Sequence, residues 1–235
     1  MKNSIIFSAP KAEYGYIGWP SIARMEDGTL VAAASAGRYK HVCPWGRTFI
    51  WKSTDEGEHW SAGEVINNTP LDDRDAGVVA LPGNKIAVTW FTENTMDHEK
   101  GYITQEYTPE MFAKYRKCMD NLDDETRAKW IGSWVRVSPD ARQWGEIRRA
   151  PVNSPHGFIV LKDGSWFYLG RGWDIDMTLF QAKREDNPIT AARSTDNGRS
   201  WEILGTVPPP EGVDKTGFHE PHAIELANGT ILGAI

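Results

Sequence analysis

Short apolar runs separated by tight polar turns recur along the chain, and their spacing predicts strands rather than helices. Apolar residues flank Asp27-Gly28 between Ser21 and Ala34, Gly83-Asn84 between Gly77 and Phe91, Asp163-Gly164 between Gly157 and Gly170, and Asn228-Gly229 between Ala223 and Ile235. Glycine accepts the positive φ that a tight hairpin turn demands, so each stretch reads as a β-hairpin. A second pattern interleaves with the first. Ser53-Thr54-Asp55-Glu56-Gly57-Glu58-His59-Trp60 and Ser194-Thr195-Asp196-Asn197-Gly198-Arg199-Ser200-Trp201 both spell S-T-D-x-G-x-x-W. Ser138-Pro139-Asp140-Ala141-Arg142-Gln143-Trp144 is a weaker copy, with Ala141 where the glycine belongs. Asp and Gly suit a turn between strands, the hydroxyl adds a local bond, and Trp buries a large apolar area.

Each of the first three hairpins is followed by one of these Ser-x-Asp turns. The repeating unit is therefore four antiparallel strands, one blade of an all-β propeller. The expected blades cover residues 12–67, 68–152 and 153–207, with the first half of a fourth at 208–235. Propellers close with about 4–8 blades, so the sequence is expected to be the N-terminal part of a longer ring. The remaining blades would come from the rest of the chain or from another chain. One segment breaks the strand pattern. Thr108-Pro109-Glu110 supplies an N-cap, a first-turn proline and an acidic first turn, and Met111, Phe112, Tyr115, Cys118, Met119 and Leu122 follow at helical spacing. A helical insertion is predicted at about 108–130, between the second and third strands of blade two. Its apolar stripe is expected to dock on the propeller, ahead of a role as a lid.

Alternating strand direction sorts the loops onto two faces. Both hairpin turns of a blade fall on one face; the lead-in to its first strand and the loop between its second and third strands fall on the other. The second face collects Arg38, His41 and Arg47 from blade one and Asp72 to Asp75 from blade two. It also gathers His156, Arg171 and Trp173 from blade three, and His219, Glu220 and His222 from blade four. Arginine forks bind carboxylates and tryptophan faces stack on sugars, so this rim suits a glycan. Composition narrows the partners. A net charge of −6 argues against a nucleic-acid or anionic-membrane surface. Cys43 and Cys118 are the two cysteines, too few for a disulfide framework and without metal-ligand spacing. The first ten residues hold only a short apolar run, so a cytoplasmic protein is expected, or a secreted one if the true start lies upstream.

The S-T-D-x-G-x-x-W spacing resembles the Asp-box, or bacterial neuraminidase repeat, of the sialidase superfamily. That resemblance implies a propeller of six or seven blades when complete, with about three and a half present here. His219-Glu220-Pro221-His222-Ala223 is similar to the segment that opens the fourth blade in sialidases. There a glutamate activates a tyrosine nucleophile, which implies that role for Glu220. Two family features are missing. Gly18 stands where the first substrate-binding arginine belongs, and between Arg38 and Lys52 there is no Asp or Glu to act as acid, only His41. Glu220 and His41 are accordingly the expected catalytic residues. Arg38, Arg47, Asp75, His156, Arg171, Trp173 and His222 are expected to bind substrate, with no metal and no cofactor. The expected activity is a sialidase-like glycoside hydrolase removing a terminal, acidic sugar. Two alternatives stand beside it: a histidine-dependent propeller of rhamnosidase or polysaccharide lyase type, and a non-catalytic propeller that binds glycans or proteins.

Overall fold

The computed structural model describes residues 3–172, 188–214 and 218–235. Three antiparallel sheets follow one another, each meandering from its first strand outward. The first contains β1 (Tyr16–Arg24), β2 (Leu30–Arg38), β3 (Arg47–Ser53) and β4 (Glu64–Asn67). The second contains β5 (Asp72–Leu81), β6 (Lys85–Glu93), β7 (Gly132–Ser138) and β8 (Arg148–Ala150). In the third, β9 (Val152–Asn153) and β10 (Ile159–Val160) both pair with β11 (Trp166–Gly172), followed by β12 (Ile189–Ser194) and β13 (Glu202–Val207). A hairpin of β14 (His222–Glu225) and β15 (Ile231–Ala234) completes the described residues. The fold is all-β, and these are propeller blades: apolar layers lie between successive sheets, and the first strands share one cavity.

Each layer is built from residues of two blades. Val31, Ala33 and Ile50 of blade one pack against Val78, Val88 and Trp90 of blade two. Ala87 and Val135 of blade two meet Phe158, Trp166 and Tyr168 of blade three. Phe167, Leu169 and Ile189 of blade three cover Ala223 of the hairpin. Central strands are buried on both faces, which is why β2 reads Leu-Val-Ala-Ala-Ala-Ser-Ala without clean alternation. Burial of this kind contributes roughly 25 cal/mol per Å² of apolar area and supplies most of the driving force.

The Ser-x-Asp turns close the outer hairpins as the sequence suggests. Asp55 Oδ1 accepts from the Ser53 hydroxyl at 2.8 Å and from His59 N–H at 2.9 Å, while Gly57 N–H donates to Ser53 Oγ at 2.9 Å. Ser194, Asp196 and Gly198 repeat the geometry at 2.9, 2.9 and 2.8 Å. The third turn is one residue shorter, and Ala141 alone takes the left-handed conformation (φ 55) that Glu56 and Gly57 share in the first. Asp140 Oδ1 still accepts from Arg142 and Gln143 N–H groups at 2.9 and 2.8 Å.

The helical insertion leaves β6 and returns to β7. It is longer than the sequence suggested, beginning with a 3-10 turn at Thr95–His98 and a π-helical turn at Glu99–Ile103. The helices Pro109–Asp120 and Asp124–Trp130 follow, the first capped by the Thr108 hydroxyl as predicted. Met111, Tyr115 and Met119 face Val42 and Ile103, with Tyr14, Tyr39 and Trp45 around them. The stripe thus docks on the blade-one loop, where the Tyr107 hydroxyl also donates to the Val42 carbonyl at 2.8 Å. Among the described residues no helix is long and apolar enough to cross a membrane.

Candidate active site

Three bulky residues hold left-handed backbone at the same place in three blades. Trp19 (φ 54) and Asp75 (φ 52) lie within register shifts of β1 and β5, and Glu220 (φ 52) stands just before β14. Such a conformation costs a non-glycine residue about 1–3 kcal/mol and clusters at functional sites. Below these bulges the first strands converge. Ser21, Val78, Ile159 and His222, one from each blade, line a cavity of about 520 Å³.

Beside Trp19 and Asp75 lies a buried charged cluster. Arg38 grips Asp72 with both terminal nitrogens, at 2.7 and 2.9 Å, and both side chains are fully buried. The same guanidinium donates to Ser35 Oγ and to the His41 carbonyl at 2.7 and 2.6 Å. Gly46 must be glycine here: a Cβ would stand 2.2 Å from Arg38 Nη1 and 2.5 Å from Asp72 Oδ1. Arg74 forms the second tier. It donates to Glu93 Oε1 at 2.9 Å and to His41 Nε2 at 3.2 Å, and its guanidinium carbon lies 4.7 Å over the Trp19 ring. Burial works against its charge, but Glu93, Asp72 and Asp75 outweigh it and hold the pKa above the ordinary arginine value.

Arg74 fixes the state of His41. A guanidinium only donates, so Nε2 must offer its lone pair and the ring proton sits on Nδ1, 3.4 Å from the Tyr16 hydroxyl. Burial, then the charges of Arg74 and Arg38, push the His41 pKa down. The ring is neutral at pH 7, and its basic nitrogen is engaged.

Asp75 is different from its neighbours. Its side chain is 9% exposed and its closest basic atom, Arg74 Nε, is 4.0 Å away. Oδ1 is buried without a hydrogen-bond partner. Burial pushes its pKa up to about 7; Arg74 pulls it back, while Glu93 and Glu220 push it further. Asp73 is raised to about 7 as well, again by burial. Both of its oxygens, however, are taken by Thr69 and Thr92 at 2.7 to 2.8 Å, so Asp73 is a structural carboxyl. Glu220 is exposed at the rim, and its charge reaches Asp75.

The residues expected from sequence divide accordingly. His41, Asp75 and Glu220 lie at or beside the bulges. Arg38 belongs to the interior cluster and offers nothing to the surface. Arg47 shares a face of β3 with Phe49 and Trp51, opposite the face that Ile50 turns toward blade two, so it is not brought to the cluster. His156 and His222 face each other across the cavity, ring centroids 5.4 Å apart, and burial followed by the His156 charge lowers the His222 pKa. Arg171 Nη1 donates to His219 Nδ1 at 3.0 Å. Trp173 lies outside the described residues. Among the described residues no three His, Cys, Asp or Glu side chains converge as a metal site. Glu93, Tyr16, Tyr102 and Trp19 also meet at this cluster and are not among the site residues expected from sequence.

No protein-family model matches the chain, nor does any curated protein sequence. Solved structures do resemble it. A protein of unknown function from Dyadobacter fermentans superimposes with TM-score 0.67 at 17% identity, over 97% of this chain and 64% of that one. The NanB sialidase of Streptococcus pneumoniae gives 0.61 at 13% identity, over 97% and 49%. The leech intramolecular trans-sialidase gives 0.60 at 15% identity, over 98% and 49%. The chain therefore spans about half to two-thirds of the length of these proteins. At such identities the likeness establishes the fold, a sialidase-like β-propeller, and nothing finer.

Proposed function

We propose that this propeller is a glycoside hydrolase in which Asp75 is the general acid and Glu220 the carboxylate that activates the nucleophile. The observation that carries the reading is Asp75: a buried carboxyl with an unpartnered oxygen, held on strained backbone at the register shift of β5. Glycosidases work with two carboxyl groups in unlike environments, one protonated and one ionised. Burial keeps the proton on Asp75 near neutral pH, whereas Glu220 stands in solvent. In the reaction the Asp75 proton passes to the glycosidic oxygen as its bond to the anomeric carbon breaks. Glu220 takes a proton from the hydroxyl group that attacks that carbon. Water then hydrolyses the bond so formed, its oxygen going to the anomeric carbon and its proton to Asp75, while Glu220 returns its proton to the released nucleophile. The resemblance of the Ser-x-Asp turns to Asp-boxes, and of His219-Glu220-Pro221 to the fourth-blade opening of sialidases, supports the same assignment for Glu220.

The acidic nature of the sugar has narrower support. Arg38 and Arg74 are taken up by Asp72 and Glu93, and Arg171 donates to His219 at the rim, so the acidic sugar rests on the sialidase resemblance alone. The histidine-centred alternative loses its leading residue, because Arg74 occupies the basic nitrogen of His41. The assay is release of nitrophenol from neutral and acidic 4-nitrophenyl glycosides by the full-length protein. Asp75→Asn and Glu220→Gln are each expected to lower kcat/KM by about 10²–10⁴-fold. Glycan binding without turnover would support a non-catalytic propeller instead.

A further inference from the structure

We propose that Tyr102 of the helical insertion is a preformed platform on which a sugar ring of the substrate stacks, a specificity contact supplied from outside the four-stranded blades. The proposal rests on the glycoside reading above. Its basis is a closed circuit of contacts that joins the insertion to the charged cluster. Glu93 Oε1 accepts from Arg74 at 2.9 Å, and Arg74 Nη2 donates to His41 Nε2 at 3.2 Å. The His41 ring lies against Tyr102 with centroids 5.5 Å apart and planes at 28°. Tyr102 meets the edge of His98 at 5.9 Å, and His98 Nε2 returns to Glu93 Oε1 at 3.3 Å. Every neighbour that orients Tyr102 is thus itself held.

The phenol is nevertheless 47% exposed, and Tyr16, on another side of His41 at 6.4 Å, is 38% exposed. Two open aromatic rings therefore flank a half-buried imidazole, and contacts run from Tyr102 through His41 and Arg74 to Asp75. The π-helical turn Glu99–Ile103 explains the placement: Ile103 is fully buried against Val42 and Met111 while Tyr102, one residue earlier, turns toward His41. Turns of this kind recur at functional sites. A pyranose presents a face of C–H groups that suits an aromatic ring, and a ring already fixed loses little rotamer freedom on binding. An exposed tyrosine held this firmly is suited to contact.

The test is binding of the full-length protein to an array of immobilised neutral and acidic mono- to tetrasaccharides, using wild type, Tyr102→Phe and Tyr102→Ala. Thermal melts confirm that both variants fold. The glycans retained by wild type should be retained by Tyr102→Phe, and their apparent affinity should fall about tenfold in Tyr102→Ala, as expected for a lost stacking contact. Unchanged binding by Tyr102→Ala would overturn the platform and leave the glycan reading standing. Failure of all three proteins to bind any glycan would remove both.

Discussion

Replacing Arg38 by methionine tests whether this arginine serves the interior rather than a ligand. In the structure Arg38 and Asp72 are both fully buried and joined by two hydrogen bonds, and Asp72 also accepts from the Cys43 N–H at 3.0 Å. Methionine fills much of the space but leaves the Asp72 charge in a low-dielectric interior without its two-armed partner, with Arg74 3.5 Å away and the Cys43 N–H remaining. Removing one partner of a buried pair costs about 3–5 kcal/mol, most of it the penalty of the stranded charge. For a domain of this size each kcal/mol moves Tm by roughly 2–4 °C, so a fall of roughly 6–20 °C is expected. The assay is urea unfolding followed by tryptophan fluorescence, with thermal melts in parallel. The double variant Arg38→Met/Asp72→Leu removes both charges and should recover most of the loss. A single variant within about 1 kcal/mol of wild type, as for an exposed pair, would refute the argument, above all if glycan affinity fell instead.

Two further outcomes follow from the same cluster. Gly46→Ala drives a Cβ into the Arg38–Asp72 pair and should destabilise by about 1–3 kcal/mol by urea unfolding; an alanine tolerated without loss would contradict the packing. Asp75→Asn should stabilise the protein in a pH-dependent manner. The folded pKa of about 7 lies above the unfolded carboxylate value, so the native state binds the extra proton between them. The cost of Asp75 is thus absent below pH 4, grows as pH rises, and is complete above about 7. The stability gain of the asparagine variant should widen over that window and then level off; a difference independent of pH would show that Asp75 is not buried as described.

The blade pattern was legible in the sequence because it depends on local chemistry. Asp27-Gly28, Asn228-Gly229 and the Ser-x-Asp turns carry their conformational demands in the residues themselves, and the Thr108-Pro109-Glu110 cap does the same for the helix. The degenerate copy at Ser138 was recognisable too, although its missing residue forces Ala141 into left-handed backbone. The site was legible only in part. Glu220 and Asp75 were found by position on one face, but the sequence could not tell a buried guanidinium from a presented one. Arg38, chosen as a ligand, is held by Asp72 from another blade, a pairing with no local signature. Tyr102 escaped notice because its partner His41 lies in a different blade's loop and no heptad-like spacing marks a π-helical turn.

The most direct test of the central claim, that Asp75 donates the proton to the leaving group, compares two leaving groups on one enzyme. A methyl glycoside needs that proton and a 2,4-dinitrophenyl glycoside of the same sugar does not. With Asp75→Asn, kcat/KM for the methyl glycoside should fall by about 10²–10⁴-fold, while the dinitrophenyl glycoside loses less than about tenfold. Equal losses on both substrates, or none on either, would contradict the assignment.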